Sequence, residues 1–211
     1  MKHTKDNILS QALKLFNRHG FVNVRLQHIA DAGSISVGHL AYHFKNKDTI
    51  IEILYDQLKE QQEVLLYDFR TADLFENINQ QLQSIFQLQK KYLFFYLDTL
   101  EVLRAYPIIK KKHQQYITWQ VQQIEWMFDS NIFRGSLNEN AKEDQYKKLA
   151  WALWNTVDNW MHARLISGLD HLKEEDFLQD VWNLLSPYFT EDGSKEFQEL
   201  CKNRMCKLPQ K

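Results

Sequence analysis

The sequence has little of what irregular loops, disulfide scaffolds and membrane spans require. Its 211 residues include only 6 glycines and 3 prolines, so long connections without secondary structure are not expected. The two cysteines, Cys201 and Cys206, have a spacing that fits neither a disulfide framework nor a common zinc motif. The chain contains no apolar run of about 18 residues and no apolar signal-peptide core near its N-terminus. We therefore expect a cytoplasmic protein that does not enter a membrane.

Motifs that assemble an active site are absent as well. The sequence contains no P-loop, no GxSxG elbow and no paired-cysteine motif. His39 and His43 are four residues apart, a spacing that lets two imidazoles on one helix share a zinc ion, but only His28 lies nearby as a third ligand. We therefore predict neither an enzyme nor a resident cofactor or metal ion.

The chain does contain helical periodicity along its whole length. Hydrophobic residues make up 44% of the sequence and aromatic residues 13%, which is enough for a sizeable core. Thr4, Asn46 and Ser194 are the predicted helix caps, and Gly20 and Gly168 are the predicted terminators. The pattern predicts an all-α fold with helices over about residues 4–20, 47–69, 73–104 with a break near residue 90, 107–133, 142–166, 174–186 and 194–205.

Residues 26–47 are the most informative segment, because they have the layout of a helix-turn-helix. A first short helix has Ile29 and Ala30 on its inner face, a turn follows at Gly33 and Ser34, and Ser36 is placed to cap a second helix. In such a pair the second helix can enter the major groove of DNA, while the first lies across the backbone.

The second helix of this pair has one buried and one outward face. Leu40 and Phe44 are four residues apart and therefore share the buried face. The outward face is left to Val37, His39, Tyr42 and His43. A helical hairpin without a partner is the alternative interpretation, and the flanking residues argue against it.

Those flanking residues carry a family resemblance. The positions that match are Ile8, Leu9, Ala12, Leu15, Phe16, His19, Gly20 and Phe21 upstream, and Lys47, Asp48 and Ile50 downstream. Together with the helix-turn-helix they resemble the N-terminal domain of the tetracycline-repressor (TetR/AcrR) family of bacterial transcription factors, over roughly residues 4–55. The resemblance implies an N-terminal three-helix helix-turn-helix domain at residues 1–46, and a larger helical ligand-binding and dimerisation domain at residues 47–211.

The resemblance and the outward face together predict a surface that binds double-stranded DNA. The predicted DNA-binding residues are Arg25, Gln27, Ser36, Val37, His39, Tyr42, His43, Lys45 and Lys47. Residues 1–50 hold seven Lys and Arg against three Asp, a balance of +4, whereas the remaining residues balance to −5. A positive end on a negative body suits a protein that presents that end to a polyanion.

Two helices near the end of the chain indicate a homodimer. They are apolar over so wide an arc that each is expected to be covered on more than one face. A position central to the protein's own core is the alternative explanation, but helix-turn-helix proteins usually bind DNA as two-fold dimers. The predicted interface residues are Val157, Trp160, Val181, Trp182 and Leu185.

The aromatic-rich second half suggests a pocket for a small-molecule effector, if the resemblance extends there. All six Trp lie beyond residue 118, and His113, Asn155, Asp158 and His162 are polar groups that could line such a pocket. Core packing is the competing explanation for each aromatic residue. The predicted ligand-binding residues are Tyr96, Trp119, Trp126, Trp154 and His162.

We therefore predict a DNA-binding transcriptional regulator, a repressor whose operator binding is released by a mostly apolar ligand. An activator built from the same parts is a second hypothesis. The alternative from another class is a helical ligand-binding or scaffold protein whose degenerate helix-turn-helix no longer binds DNA. Ser34 and Ala41 support that alternative, because the family commonly has Gly and Tyr at these positions.

Overall fold

The computed structural model describes residues 2–69, 74–139, 144–169 and 171–204, and this part of the chain is built from helices without a named strand. The expected all-α fold is confirmed. The α-helices are α1 (Lys2–His19), α2 (Leu26–Ala32), α3 (Val37–His43), α4 (Lys47–Phe69), α5 (Phe75–Lys91), α6 (Leu93–Leu97), α7 (Thr99–Ala105), α8 (Pro107–Phe133), α9 (Gln145–Ile166), α10 (Glu174–Leu185) and α11 (Glu191–Arg204), with a 3₁₀ helix at Ser186–Tyr188.

Several helix ends lie where the sequence places them. Gly20 has a φ of 72° and its N–H donates to Phe16 O at 2.9 Å, which ends α1 in a left-handed residue. Asn46 Oδ1 accepts the N–H of Thr49 at 3.0 Å and so caps α4. Gly168, with a φ of 76°, follows α9.

Two predicted caps are wrong. Thr4 lies inside α1, and Ser194 lies inside α11. The cap of α11 is Thr190, whose Oγ1 accepts the N–H of Gly193 at 3.0 Å. The region predicted as helical over 73–104 with a break near residue 90 forms three helices, α5 to α7: the break at Tyr92 lies where it was predicted, and a second break at Asp98 was not predicted. The predicted helix limits at residues 73, 142 and 205 lie outside the described residues.

The chain divides into two compact units, and helices α4, α5 and α8 contribute residues to both. The first unit comprises residues 1–61 and 88–114, and the second comprises residues 62–87 and 115–211. In the first unit the ring of Phe94 packs 5.3 Å from that of Phe16, and Phe95 packs 5.3 Å from Tyr55. The predicted boundary at residue 46, between a DNA-binding domain and a ligand-binding and dimerisation domain, does not coincide with the boundary between these units. It stays a prediction.

The second unit has an aromatic core. Trp182 is fully buried and its ring packs 5.2 Å from Phe75 and 5.2 Å from Phe197, while its Nε1 donates to Asn79 Oδ1 at 2.9 Å. Trp160 packs 5.5 Å from Phe177, so α9 and α10 share this core. Buried aromatic pairs of this kind contribute beyond their area of contact.

A short loop pairing lies against the start of α11. Asn138 N–H donates to Tyr188 O at 2.9 Å, and Thr190 N–H donates to Ser136 O at 3.1 Å. Gly193 passes so close to this loop that a Cβ built on it would lie 2.1 Å from Ser136 O. Only a glycine fits this position without a shift of the backbone.

The predicted dimer interface is wrong at four of its five residues. Trp160, Val181, Trp182 and Leu185 are at most 5% exposed within a single chain, so their side chains offer no surface to a partner. The wide apolar arcs of α9 and α10 are covered by aromatic residues of α5 and α11 in the same chain. Val157 is half-buried and stays a prediction. In the described part of the chain, no helix is both long and apolar enough to cross a membrane.

Candidate nucleic-acid interface

The turn between α2 and α3 is a Schellman motif, the pattern in which two backbone bonds close a helix end. Ile35 N–H donates to Ala30 O at 3.0 Å, and Ser34 N–H donates to Asp31 O at 3.1 Å. The left-handed residue of this motif is Ser34, with a φ of 54°, whereas Gly33 has an ordinary φ of −84°. Ser34 therefore occupies the backbone conformation for which glycine is favoured.

One side of helix α3 is buried against the protein, and the other side is exposed. Ser36 Oγ accepts the N–H of His39 at 3.1 Å, which confirms the predicted cap. Leu40 and Phe44 are buried, as the spacing predicts. Tyr42 is 73% exposed, and His39 is exposed as well. The two remaining predicted side chains, Val37 and His43, are half-buried.

The exposed rings of α3 form a small cluster. The His39 and His43 rings lie 5.1 Å apart, and Tyr42 meets His43 edge-on at 5.2 Å. Partial burial and the nearby charges of His39 and Lys5 lower the pKa of His43. His43 is therefore neutral at pH 7 and can both donate and accept a hydrogen bond.

Lys47 is engaged within the protein. Its Nζ donates to Phe21 O at 2.9 Å and to Val24 O at 3.0 Å, and it lies 5.6 Å from the centre of the Phe21 ring. Burial lowers the pKa of its ammonium. These two hydrogen bonds hold the chain between α1 and α2. Only the third N–H of the ammonium is left for a phosphate, and the predicted contact of Lys47 with DNA stays a prediction.

The start of α2 presents two further predicted residues. Arg25 is exposed, and its backbone N–H donates to His28 Nδ1 at 3.3 Å. Gln27 is exposed and donates to Asp31 Oδ1 at 2.7 Å. Lys45, just beyond α3, is also exposed. Arg25 and Lys45 are free to meet a phosphate backbone.

The first unit carries most of the chain's positive charge. Residues 1–61 and 88–114 hold 14 Lys and Arg against 8 Asp and Glu, a net charge of +6. The second unit has 12 Lys and Arg against 19 Asp and Glu, a net charge of −7. The separation is stronger than the sequence division at residue 50 indicated, because the lysines of residues 90–112 belong to the first unit.

Asp98 is a structural residue that the sequence pattern did not single out. Its Oδ2 accepts the N–H of Phe21 at 3.3 Å, and the same atom lies near Gly20. Because the two residues are 77 positions apart, no local periodicity signals this contact. Asp98 thus helps to set the direction in which the chain leaves α1.

The predicted ligand-binding residues do not form one described site. Tyr96 is buried in the first unit, whereas Trp119, Trp126, Trp154 and His162 belong to the second. Trp126 is 39% exposed and lies at the surface. Trp119 and Trp154 are half-buried, on α8 and α9.

His113, named as a polar group of the pocket, lies in the core of the first unit. Its Nδ1 is 3.5 Å from Tyr55 Oη, and its ring packs 5.3 Å from Phe95. Burial lowers the pKa of His113 to about 4, so it is neutral at physiological pH. Among the described residues no group of three or more His, Cys, Asp or Glu is placed to hold a metal ion.

Comparison with protein families matches nearly the whole chain. The family model described as TetR, bacterial transcriptional repressor, matches residues 44–197. The model described as bacterial regulatory proteins, tetR family, matches residues 8–54, which contain the α2–α3 pair.

Individual proteins resemble the chain in part or throughout. The probable HTH-type transcriptional regulator YttP of Bacillus subtilis (strain 168) is 37% identical over 57 residues, which cover 27% of this chain and 28% of that protein. A TetR-family transcriptional regulator from Marinobacter aquaeolei VT8 has a similar structure, with a TM-score of 0.80, 24% identity and coverage of 94% of this chain and 97% of that one. The SmeT–triclosan complex has a TM-score of 0.65 at 16% identity, with 90% and 93% of the two chains covered.

Proposed function

This chain belongs to the TetR family of bacterial transcriptional repressors, and on that premise we propose that it binds a DNA operator through α2 and α3 and releases it when a small molecule binds in the second unit. The observation that carries the proposal is the presentation of α3. Its apolar side is buried, its first turn is capped by Ser36, and its Tyr42 and His39 are exposed in a unit of net charge +6.

We assign different tasks to two groups of residues on this surface. Val37, His39 and Tyr42 occupy the outward face of α3 and meet base edges in the major groove, with Val37 suited to a thymine methyl group. Arg25 and Lys45 contact phosphates, which fix the position of the protein but carry no sequence information. The border of this DNA-binding surface is formed by the remaining predicted residues, Gln27, Ser36, His43 and Lys47.

The dimer that such an operator requires is assigned to the exposed face of α9. Trp151 and Ile166 are 49% and 71% exposed, and Asn155, Asn159 and Ala163 lie on the same face. A helix face that exposes a Trp and an Ile is suited to pack against a second copy of itself. This face replaces the buried residues that the sequence had suggested.

Single charges on this face test the dimer. We expect Ile166→Asp to produce monomers and to weaken operator binding, because it places an unpaired charge in the helix contact. Val64→Asp is the matched control, since Val64 is 61% exposed on α4 and lies off this face. Molar mass by light scattering checks the result, and a dimeric Ile166→Asp protein would remove α9 from the interface.

Release of DNA by an effector requires only a modest coupling between the two sites. A coupling free energy of about 1–3 kcal/mol changes the operator affinity by roughly 5- to 150-fold. Triclosan binding by the similar SmeT protein supports a small molecule as the effector. No catalytic step is required for this function, and we place the protein in the cytoplasm with the DNA that it binds.

Selection of bound sequences from random duplex DNA tests the function directly. We expect a two-fold site with half-sites about 34–36 Å apart. His39→Ala and Val37→Ala should change the selected bases, because each lost base contact removes about 1–3 kcal/mol of discrimination. Lys45→Ala should weaken all sequences about equally. If no sequence is enriched, the result favours the alternative function, a helical ligand-binding or scaffold protein whose helix-turn-helix no longer binds DNA.

A further inference from the structure

Helix α3 carries two histidines one helical turn apart on its outward face. His39 and His43 are four residues apart in a helix, a spacing of about 6 Å along the axis that places both side chains on the same face. Their ring centres lie 5.1 Å apart, and the ring planes are tilted by 41°. Two imidazoles at this spacing on one helix can bind the same metal ion.

The separation of the two rings agrees with the geometry of a shared tetrahedral ion. Zinc lies about 2.0–2.1 Å from a histidine nitrogen, so the centre of each ring is about 3.2 Å from the ion. A tetrahedral angle of about 109° at the ion then places the two ring centres about 5 Å apart. His39 and His43 already have this separation, so an ion can bind without a movement of the helix backbone.

The ring nitrogens of the pair are available as ligands. Metal binding requires a neutral imidazole, and the lowered pKa of His43 keeps that ring neutral at pH 7. Among the described residues, the two rings contact each other and Tyr42, and neither ring forms a hydrogen bond or ion pair. His28 differs, because its Nδ1 accepts the N–H of Arg25 at 3.3 Å.

An ion at this pair is held by only two side chains of the described chain. No group of three or more His, Cys, Asp or Glu is placed to hold a metal ion within the described ranges, so water completes the coordination. The nearby charge of Lys5 also opposes a cation here. A structural zinc site has four protein ligands, whereas these two features predict an ion that binds reversibly.

The chemistry of the ligands selects the class of metal. Imidazole nitrogens suit zinc, copper and nickel, whereas magnesium and calcium require oxygen ligands. We propose that His39 and His43 bind one divalent transition-metal ion, for which Zn²⁺ is the probe, and that the bound ion opposes operator binding.

The opposition to operator binding rests on the proposed function, in which α3 meets the bases of the operator. A hydrated ion on this pair covers the outward face of α3, and a ring nitrogen bonded to metal cannot form a hydrogen bond with DNA. Because such coupling is reciprocal, operator DNA should weaken metal binding by the same factor.

Calorimetric titration without DNA tests the metal site alone. We expect tag-free, full-length protein at about pH 7.5, where both imidazoles are available, to bind Zn²⁺ saturably. His39→Gln and His43→Gln should each weaken this binding about tenfold or more, because each removes one of the two protein ligands. MgCl₂, which supplies an ion of the same charge, should show no saturable binding to the pair.

A third histidine provides the matched control. His19 is exposed at the end of α1 and has no histidine one turn away, so His19→Gln should leave the zinc affinity unchanged. Thermal unfolding of each variant, followed by circular dichroism, checks that the fold is intact.

Fluorescence anisotropy with the selected operator tests the competition. We expect saturating ZnCl₂ to weaken operator binding by the wild type about tenfold or more. The same concentration of MgCl₂ should have a smaller effect, because it screens the phosphates without binding the histidines. Each histidine variant is compared with its own affinity in the absence of metal, and zinc should change that affinity no more than magnesium does.

Different results would overturn the two parts of the proposal. The metal site is refuted if the wild type shows no saturable zinc binding below about 1 mM, or if a folded His39→Gln/His43→Gln double variant binds zinc as tightly as the wild type. Equal operator affinity with and without zinc refutes the competition. Zinc binding at the pair by a protein that binds no operator supports the metal site and contradicts the proposed function.

Discussion

The backbone of Ser34 has a φ of 54°, a left-handed conformation that costs residues with a Cβ about 1–2 kcal/mol. Glycine adopts it without that cost but loses more chain entropy on folding, about 0.5–1 kcal/mol. We therefore expect Ser34→Gly to raise the free energy of unfolding by up to about 1 kcal/mol. Ser10→Gly, in the exposed middle of α1, is the matched control and should lower it by about 0.5 kcal/mol. Urea unfolding followed by circular dichroism measures both, and a destabilised Ser34→Gly protein contradicts this account.

Asp158 makes stability depend on pH in a defined direction. Its pKa is about 7 in the folded protein and near 3.8 when unfolded, so the folded state binds the proton more tightly. Stability is therefore lost as the pH rises from about 4 to about 7 and stays constant above that. We expect the advantage of Asp158→Asn over the wild type in melting temperature to grow across this interval and then level off. Trp fluorescence at a series of pH values measures it, and a pH-independent difference would mean that the carboxyl group is not buried.

Single residues were predictable from the sequence where local spacing decides their place. Ser36, Leu40 and Phe44 follow from the helical repeat of a seven-residue helix. The burial of Val181 and Trp182 within the chain was not predictable in this way. An apolar helix face has the same sequence pattern whether it packs against a partner chain or against another helix of the same chain. Lys47 was predictable as a cation but not as a donor to Phe21 O and Val24 O, since that role depends on how the chain turns after α1.

At the level of elements, the start of α11 depends on a close approach between two backbones. A Cβ at Gly193 would lie 2.1 Å from Ser136 O, so Gly193→Ala must displace the 136–138 loop. We expect it to lower the free energy of unfolding by about 2 kcal/mol or more. Trp fluorescence reports on this change, because all six Trp belong to the second unit.

A glycine-to-alanine substitution in α3 provides the control for Gly193→Ala. Gly38 lies in α3, and a Cβ at this residue would have only Ser36 Oγ nearby, at 3.9 Å, so Gly38→Ala removes a helix-weakening glycine without a clash. We expect a gain of about 0.5–1 kcal/mol, measured by circular dichroism. Equal effects of the two substitutions would show that the contact with Ser136 is unimportant.

Helices were predicted best where a strong start or stop signal exists. Pro107 begins α8, and Asn46 precedes α4, so both helices have their expected limits. A break was predicted near residue 90 and lies at Tyr92, but the second break at Asp98 was not predicted, because no Pro or Gly lies between residue 90 and Pro107. Asp98 accepts the N–H of Phe21, just after α1, and Phe94 of α6 packs on Phe16 of α1; these contacts, distant in sequence, outweigh the local preference for a continuous helix between Tyr92 and Pro107.

At the scale of the whole molecule, the unequal charge of the two units predicts how operator binding responds to salt. Each neutralised phosphate contributes about −0.9 to the slope of log K against log salt, so about three contacts per half-site give a slope near −5. Lys45→Ala should make the slope shallower by about 2 in a dimer. Lys47→Ala should weaken binding with a smaller change of slope, because its ammonium is already bonded to two carbonyl groups. Fluorescence anisotropy over a salt series measures all three, and a flat dependence excludes phosphate anchoring.

The first unit is built from two separate stretches of chain, and this limits how such proteins can be recombined. A hybrid regulator that joins residues 1–46 to a foreign body would leave behind Phe94, which packs on Phe16, and Asp98, which accepts the N–H of Phe21. In the hybrid, the apolar surface around Phe16 would be exposed, and the N–H of Phe21 would lack its acceptor. Successful exchange of DNA specificity therefore calls for replacing the α3 side chains in place, or for carrying residues 88–114 along with the segment.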